Sequence, residues 1–194
     1  GLGFGDPEKP LLVSVRSGAE VSMPGMMDTV LNVGVTEGVL PGLYTKGGHR
    51  FALDSQRRFI EMFGEIALGV DGNALAHVRD EVLSLARTKT IGQLSVDWLR
   101  GLVGAYNRAL DDLGKTISSD PREQLRASMV GVFESWNSRR AKRYRRSHGI
   151  PDDLGTAVTV QAMVFGNIGQ GSSTGVAFTR DPNTGSKGLF GEYL

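Results

Sequence analysis

Arg16 stands at the end of the apolar run Leu11-Leu-Val-Ser-Val-Arg16 and opens a loop of small residues. An apolar run of that length, bounded by Pro10 and Gly18, predicts a buried strand. A guanidinium held at a strand end presents a planar fork of donors that suits phosphate oxygens. Ser17, Gly18, Ser22 and Gly25 would add hydroxyl and backbone N–H donors with little bulk around them. The same pattern admits a structural role, in which Arg16 pairs with a carboxylate such as Asp28 and the loop is a connector. The loop's glycines and its lack of bulky anchors predict mobility when no ligand is bound.

Two further stretches carry chemistry-bearing residues. In Thr156–Phe165, alternation puts Gln161 and Met163 on one face and Val160 and Ala162 on the other. Such a strand can line an adenine pocket, with Met163 on the ring, although pattern alone fits a plain core strand better. The cluster from Arg139 to Arg146 holds six of the 22 basic residues. Its charges run nearly all round a helix and only Tyr144 could stack. A solvated helix, or an interface to another part of a larger protein, therefore fits better than a nucleic-acid contact.

Other chemistries lack their parts. There is no G-x-x-x-x-G-K-[ST] loop, and Gly169, Gly171 and Gly175 lie between two strands rather than between a strand and a helix. His49, His77 and His148 have no metal-ligand spacing, and G-x-S-x-G is absent. With no cysteine there is no disulfide or thiol nucleophile, which fits a cytoplasmic setting. A net charge of +1 gives no steering toward nucleic acid or membranes. No apolar run reaches the roughly 18 residues of a membrane span. Gly1–Pro10 is unlike a signal peptide. Neither nucleic acid nor membrane is an expected partner. Starting at Gly1 and stopping within an apparent strand at Leu194, the chain reads as a piece of a longer protein.

The elements that must position these residues fall into three regions, 1–50, 51–150 and 151–194. The first holds the Leu11–Arg16 strand, its loop, and a loop-rich stretch from Gly34 to Gly48. The second is helical. Phe59, Phe63, Ile66 and Ala67 share one helix face, and Leu75, Val78, Val82 and Leu85 another. Ser95 reads as the N-cap of a helix with Leu99, Leu102, Val103, Tyr106, Leu110 and Leu113 inward. Asp120-Pro-Arg-Glu123 is a capping-box start for a helix with the stripe Leu125, Met129, Val132, Phe133 and Trp136. The third region has a period of two over Thr156–Phe165, Gly175–Arg180 and Gly188–Leu194, joined by turn residues, which predicts an antiparallel meander. The fold class is α/β with α+β character.

Several strings together resemble the pyruvate, phosphate dikinase family. They are Leu11–Ala19, Ser22–Thr29 (Ser-Met-Pro-Gly-Met-Met-Asp-Thr), Arg50–Phe63, Val160–Asn167 and Thr174–Gly185, in the family's order. Phosphoenolpyruvate synthase and rifampicin phosphotransferase share the Ser-Val-Arg-Ser and Gly-Val-Ala-Phe-Thr-Arg-Asp-Pro elements, but Met-Pro-Gly-Met-Met-Asp-Thr is more specific to the dikinase. The resemblance implies an ATP-grasp-like nucleotide-binding domain with a helical insert between its lobes, 1–50 and 151–194. It implies interconversion of ATP, phosphate and pyruvate with AMP, pyrophosphate and phosphoenolpyruvate. Mg²⁺ would be required, and a histidine on a swivelling domain of the same chain would carry the phosphoryl group. Pyruvate and phosphate would act through other domains of a homodimeric full-length protein. Arg16 would contact ATP phosphates, Gly25 would belong to a loop over them, and Gln161–Val164 would border the adenine. The family's Gly-Gly-Lys-Gly-Ala segment and its magnesium ligands find no match within residues 1–194, and Glu192 is not taken as a ligand. Catalytic and metal-binding residues are thus not expected within the chain, which alone should not complete the reaction.

Overall fold

A computed structural model describes residues 1–194. Short parallel strands β1 (Gly3–Phe4) and β2 (Pro10–Leu11) lead into β3 (Val13–Gly18), which the loop 19–28 joins to antiparallel β4 (Thr29–Val33). Five helices follow: α1 (Leu40–Ile66), α2 (Gly72–Leu85), α3 (Val96–Asp112), α4 (Pro121–Ser135) and α5 (Arg139–His148). Strands β5 (Ala157–Ala162), β6 (Gly175–Arg180) and β7 (Lys187–Tyr193) complete the order.

One core lies between sheet and helices. Val13, Val15, Val30 and Val33 are buried with Phe51, Phe59 and Phe63 of α1 and Val132 of α4. Burying each such side chain is worth about 1.5–3 kcal/mol, so α1 and α4 are held to one face of the strands. A second core joins α1, α2 and α3 through Leu53, Ile60, Leu75, Leu99, Leu102, Tyr106 and Leu110.

The caps sit where their chemistry places them. The Ser95 hydroxyl accepts from Trp98 N–H, and the Asp120 carboxylate from Arg122 N–H. Glu123 does not close a box on Asp120; it accepts from the Ser118 hydroxyl, which in turn accepts from Asp120 N–H.

Other expectations are corrected as well. The stretch to Gly48 is not all loop: α1 begins at Leu40 and passes through a kink at Gly48, φ 77°. Buried Leu43 and the close approach of Gly42, where a Cβ would lie 2.5 Å from Pro7 O, outweigh the poor helix propensity of the glycines. Leu85, Leu113 and Phe133 are exposed, the first two at helix ends where no neighbour covers them. On α4 the buried face carries Gln124, Ser128 and Ser135. Gln124 accepts from Gly34 N–H at 3.0 Å and donates to Val35 O and Ser118 O, meeting loop groups that no ladder serves.

The three C-terminal strands do not form a meander. β5 pairs with β3 over its whole length, from Gly18↔Ala157 to Val13↔Ala162, giving the sheet order β4-β3-β5. Val158 and Met163 pack on the strand–helix core, which gives β5 an apolar reason to leave β6. Strands β6 and β7 form a separate antiparallel hairpin.

Candidate functional site

Arg16 is on the central strand of the three-stranded sheet. Its register partners are Thr29 on β4 and Thr159 on β5, and Ser14 pairs with Gln161. Directly opposed residues of antiparallel strands point the same way. Arg16, Thr29, Thr159 and Gln161 therefore share the face turned away from buried Val13, Val15 and Val30. Around Arg16 that face is polar and open, with Arg16, Thr159 and Gln161 exposed and Thr29 half-buried, while Ser14 two residues earlier is buried.

The Arg16–Asp28 ion pair that the sequence admits is not made. Asp28 pairs with Arg140 of α5 instead, and Arg16 takes part in no salt bridge. Its fork of donors is left pointing at solvent, a geometry suited to a bidentate anion.

The loop 19–28 joins Gly18 of β3 to Thr29 of β4. Ser22 is exposed. Gly25 has φ 71°, and a Cβ there would meet nothing within 4 Å, so the glycine serves the left-handed backbone and not a close approach. The expected lack of anchors is corrected, since Met23 is 6% exposed and Met26 N–H donates to Met23 O at 3.1 Å. At the far foot, Asp28 N–H donates to Ser135 Oγ at 3.2 Å and Arg140 Nε donates to Met26 O at 3.3 Å.

The remaining expected residues divide. Gly18 ends β3 opposite Ala157, on the face of Arg16. Ser17 pairs with Val158 and lies on the opposite face, so only its backbone can serve the Arg16 side. Met163 lies just past the end of β5, donates its N–H to Leu12 O at 2.9 Å and packs against the strand–helix core. There it lines a cavity of about 190 Å³ with Leu31, Asn32, Ser55 and Arg58. The structure thus puts Arg16, Gly18 and Gln161 on one face of the sheet, leaves Ser22 and Gly25 in the loop that follows Gly18, and turns Ser17 and Met163 elsewhere. Glu192 is exposed on the separate hairpin, opposite Val176.

Sequence reasoning missed Thr29, Thr159 and Arg140. Alternation in Thr156–Ala162 already put Thr159 with Gln161, but nothing local said that this strand would lie against β3. Arg140 was hidden among like charges.

A chain-long match decides the family. The family described as pyruvate phosphate dikinase, AMP/ATP-binding domain, matches residues 3–191. The chain belongs to that family. Pyruvate, phosphate dikinase 1, chloroplastic, of Zea mays is 49% identical over 195 residues, covering 100% of this chain and 21% of that protein. Pyruvate, phosphate dikinase 2 of Zea mays is 50% identical over 196 residues, covering 100% and 22%. Pyruvate, phosphate dikinase of Rhizobium meliloti (strain 1021) is 49% identical over 194 residues, covering 98% and 22%. The chain spans about a fifth of the length of the dikinases it matches.

Proposed function

We propose that the chain binds ATP on the open face of the β4-β3-β5 sheet, as the nucleotide-binding part of a longer pyruvate, phosphate dikinase. The observation that carries this is Arg16: an unpaired guanidinium between two threonines, within a chain that matches an AMP/ATP-binding family along its length. In this reading Arg16 grips phosphate oxygens, and backbone N–H groups of the loop around Gly25 close over them, with Ser22 alongside. Gln161 sits toward the base. Phosphoryl transfer asks chiefly for positioning and neutralisation of charge, which a fixed guanidinium and oriented amides supply.

The finer architecture belongs to the same proposal: an ATP-grasp arrangement in which α2 and α3 are the helical insert and the β6–β7 hairpin belongs to the second lobe. Mg²⁺ accompanies ATP in such chemistry, but no group of three or more acidic or histidine side chains gathers here. The residues present do not fit a magnesium site, and no step is assigned to the metal. In the longer protein ATP would give up two phosphoryl groups and leave as AMP, one group going to phosphate to form pyrophosphate and the other passing through a phosphohistidine on a swivelling domain to pyruvate. A cytoplasmic setting and a homodimer complete the reading.

Calorimetric titration with Mg-ATP tests it. Losing a charge-assisted contact of about 1.5–3 kcal/mol weakens binding roughly 10- to 100-fold, so the wild type should bind and Arg16→Ala should bind that much more weakly. No binding by the folded wild-type chain would overturn the proposal in favour of a docking module.

A further inference from the structure

We propose that Arg140 is a positioning residue for nucleotide binding, acting through Asp28 to hold the foot of the 19–28 loop. The proposal rests on the reading of Arg16 and its loop as a phosphate site. Asp28 directly precedes Thr29, the register partner of Arg16, so whatever holds Asp28 sets where the loop leaves the sheet. Three contacts do so. The Arg140 guanidinium pairs with the Asp28 carboxylate, its Nε donates to Met26 O at 3.3 Å, and Asp28 N–H donates to Ser135 Oγ at 3.2 Å. All come from the corner between α4 and α5.

That corner is stiff. Arg145 is 1% exposed and stacks over the Trp136 ring at 4.1 Å. Its Nη1 donates to Trp136 O at 2.6 Å and its Nε to Asp152 Oδ1 at 2.8 Å, while Trp136 Nε1 donates to Asp152 O at 3.0 Å. A buried arginine so fully committed cannot rock α5 without leaving donors unmet. Arg140, five residues earlier on the same helix, inherits that fixed position. Members of the basic cluster thus differ in what they do. Arg145 locks the corner, Arg140 reaches from it to the loop, and Arg139 is exposed with no ion-pair partner.

Ion pairs as exposed as Arg140–Asp28, with side chains 49% and 23% exposed, add little to global stability. The effect should therefore appear in the loop and in ligand affinity rather than in the unfolding midpoint. The experiment compares the full chain with Arg140→Ala, Asp28→Ala, the double variant and Arg139→Ala, reading amide exchange across 25–28 and Mg-ATP affinity. Misplacing a binding group costs on the order of tenfold or more, so each single variant should exchange faster and bind about tenfold more weakly. The double variant should be no worse than either single, and Arg139→Ala should match the wild type. Additive losses in the double variant, or unchanged exchange in Arg140→Ala, would overturn the proposal. So would an equal loss in Arg139→Ala, which would mark a general charge effect. If the wild type binds and Arg140→Ala binds equally well, only the positioning role falls. If the wild type itself fails to bind, the nucleotide reading falls and takes this role with it.

Discussion

Arg16 and Arg180 are the two arginines on strands, and they differ in what they touch. Arg180 donates to Gly185 O at 3.1 Å and so serves its own turn. Arg16 has no such partner, and a side chain of five donors left open on a sheet face is available to an external anion. Gly25 is the second residue whose type is tied to the site. Its φ of 71° lies in the left-handed region, with free space where a Cβ would go. Gly25→Ala should therefore cost about 1–2 kcal/mol through the backbone, with no steric clash. Urea unfolding would read that loss, and Mg-ATP titration should show affinity falling with it. An Ala variant as stable as the wild type would show that the loop readily adopts another conformation.

Elements are set by where their polar groups go as much as by apolar stripes. α1 and α3 meet through a second core, and across it the buried Tyr106 hydroxyl donates to the Glu61 carboxylate. Burial first, and then the Glu61 contact, raise the phenol well above its ordinary range, so it remains a donor. Arg57, itself buried, pairs with Glu61 and with Asp54. Tyr106→Phe removes one hydrogen bond to a charged acceptor and should destabilise the chain by about 1.5–3 kcal/mol. Chemical denaturation would measure it. An unchanged midpoint would mean that water or Arg79, 4.0 Å from Glu61, takes over.

The molecule as a whole has two hydrophobic cores, and the β6–β7 hairpin belongs to neither. Every residue of both strands is exposed, including Val176, Phe178, Leu189 and Phe190. Isolated two-stranded hairpins are marginal in water. Amides of 175–193 should therefore exchange fastest among the strands, while those of Val15 and Val30 in the packed sheet should be the most protected. Equal protection across both sheets would show that the hairpin is held by contacts the isolated chain already makes.

Much of this is legible in the sequence. A strand carrying Arg16, the Ser95 and Asp120 caps and most of the inward residues of α3 follow from neighbours a few positions apart, although the strand runs from Val13 to Gly18 and so holds Arg16 in its interior and not at its end. Such local signals act through propensity, capping and alternation, and they survive in any tertiary setting that leaves the segment folded. The rest depended on partners far along the chain. β5 could have paired with β6, and its choice of β3 follows from which free edge lay beside an apolar core. Ser14 and Gln161, which are 147 residues apart, came together only through that choice. The burial of Gln124 and Ser135 likewise depends on loop groups that need a donor or acceptor. Asp28, which the sequence offered to Arg16, went to Arg140 because a stiff helix corner delivers that guanidinium to the foot of the loop. Arg16 was thereby left free.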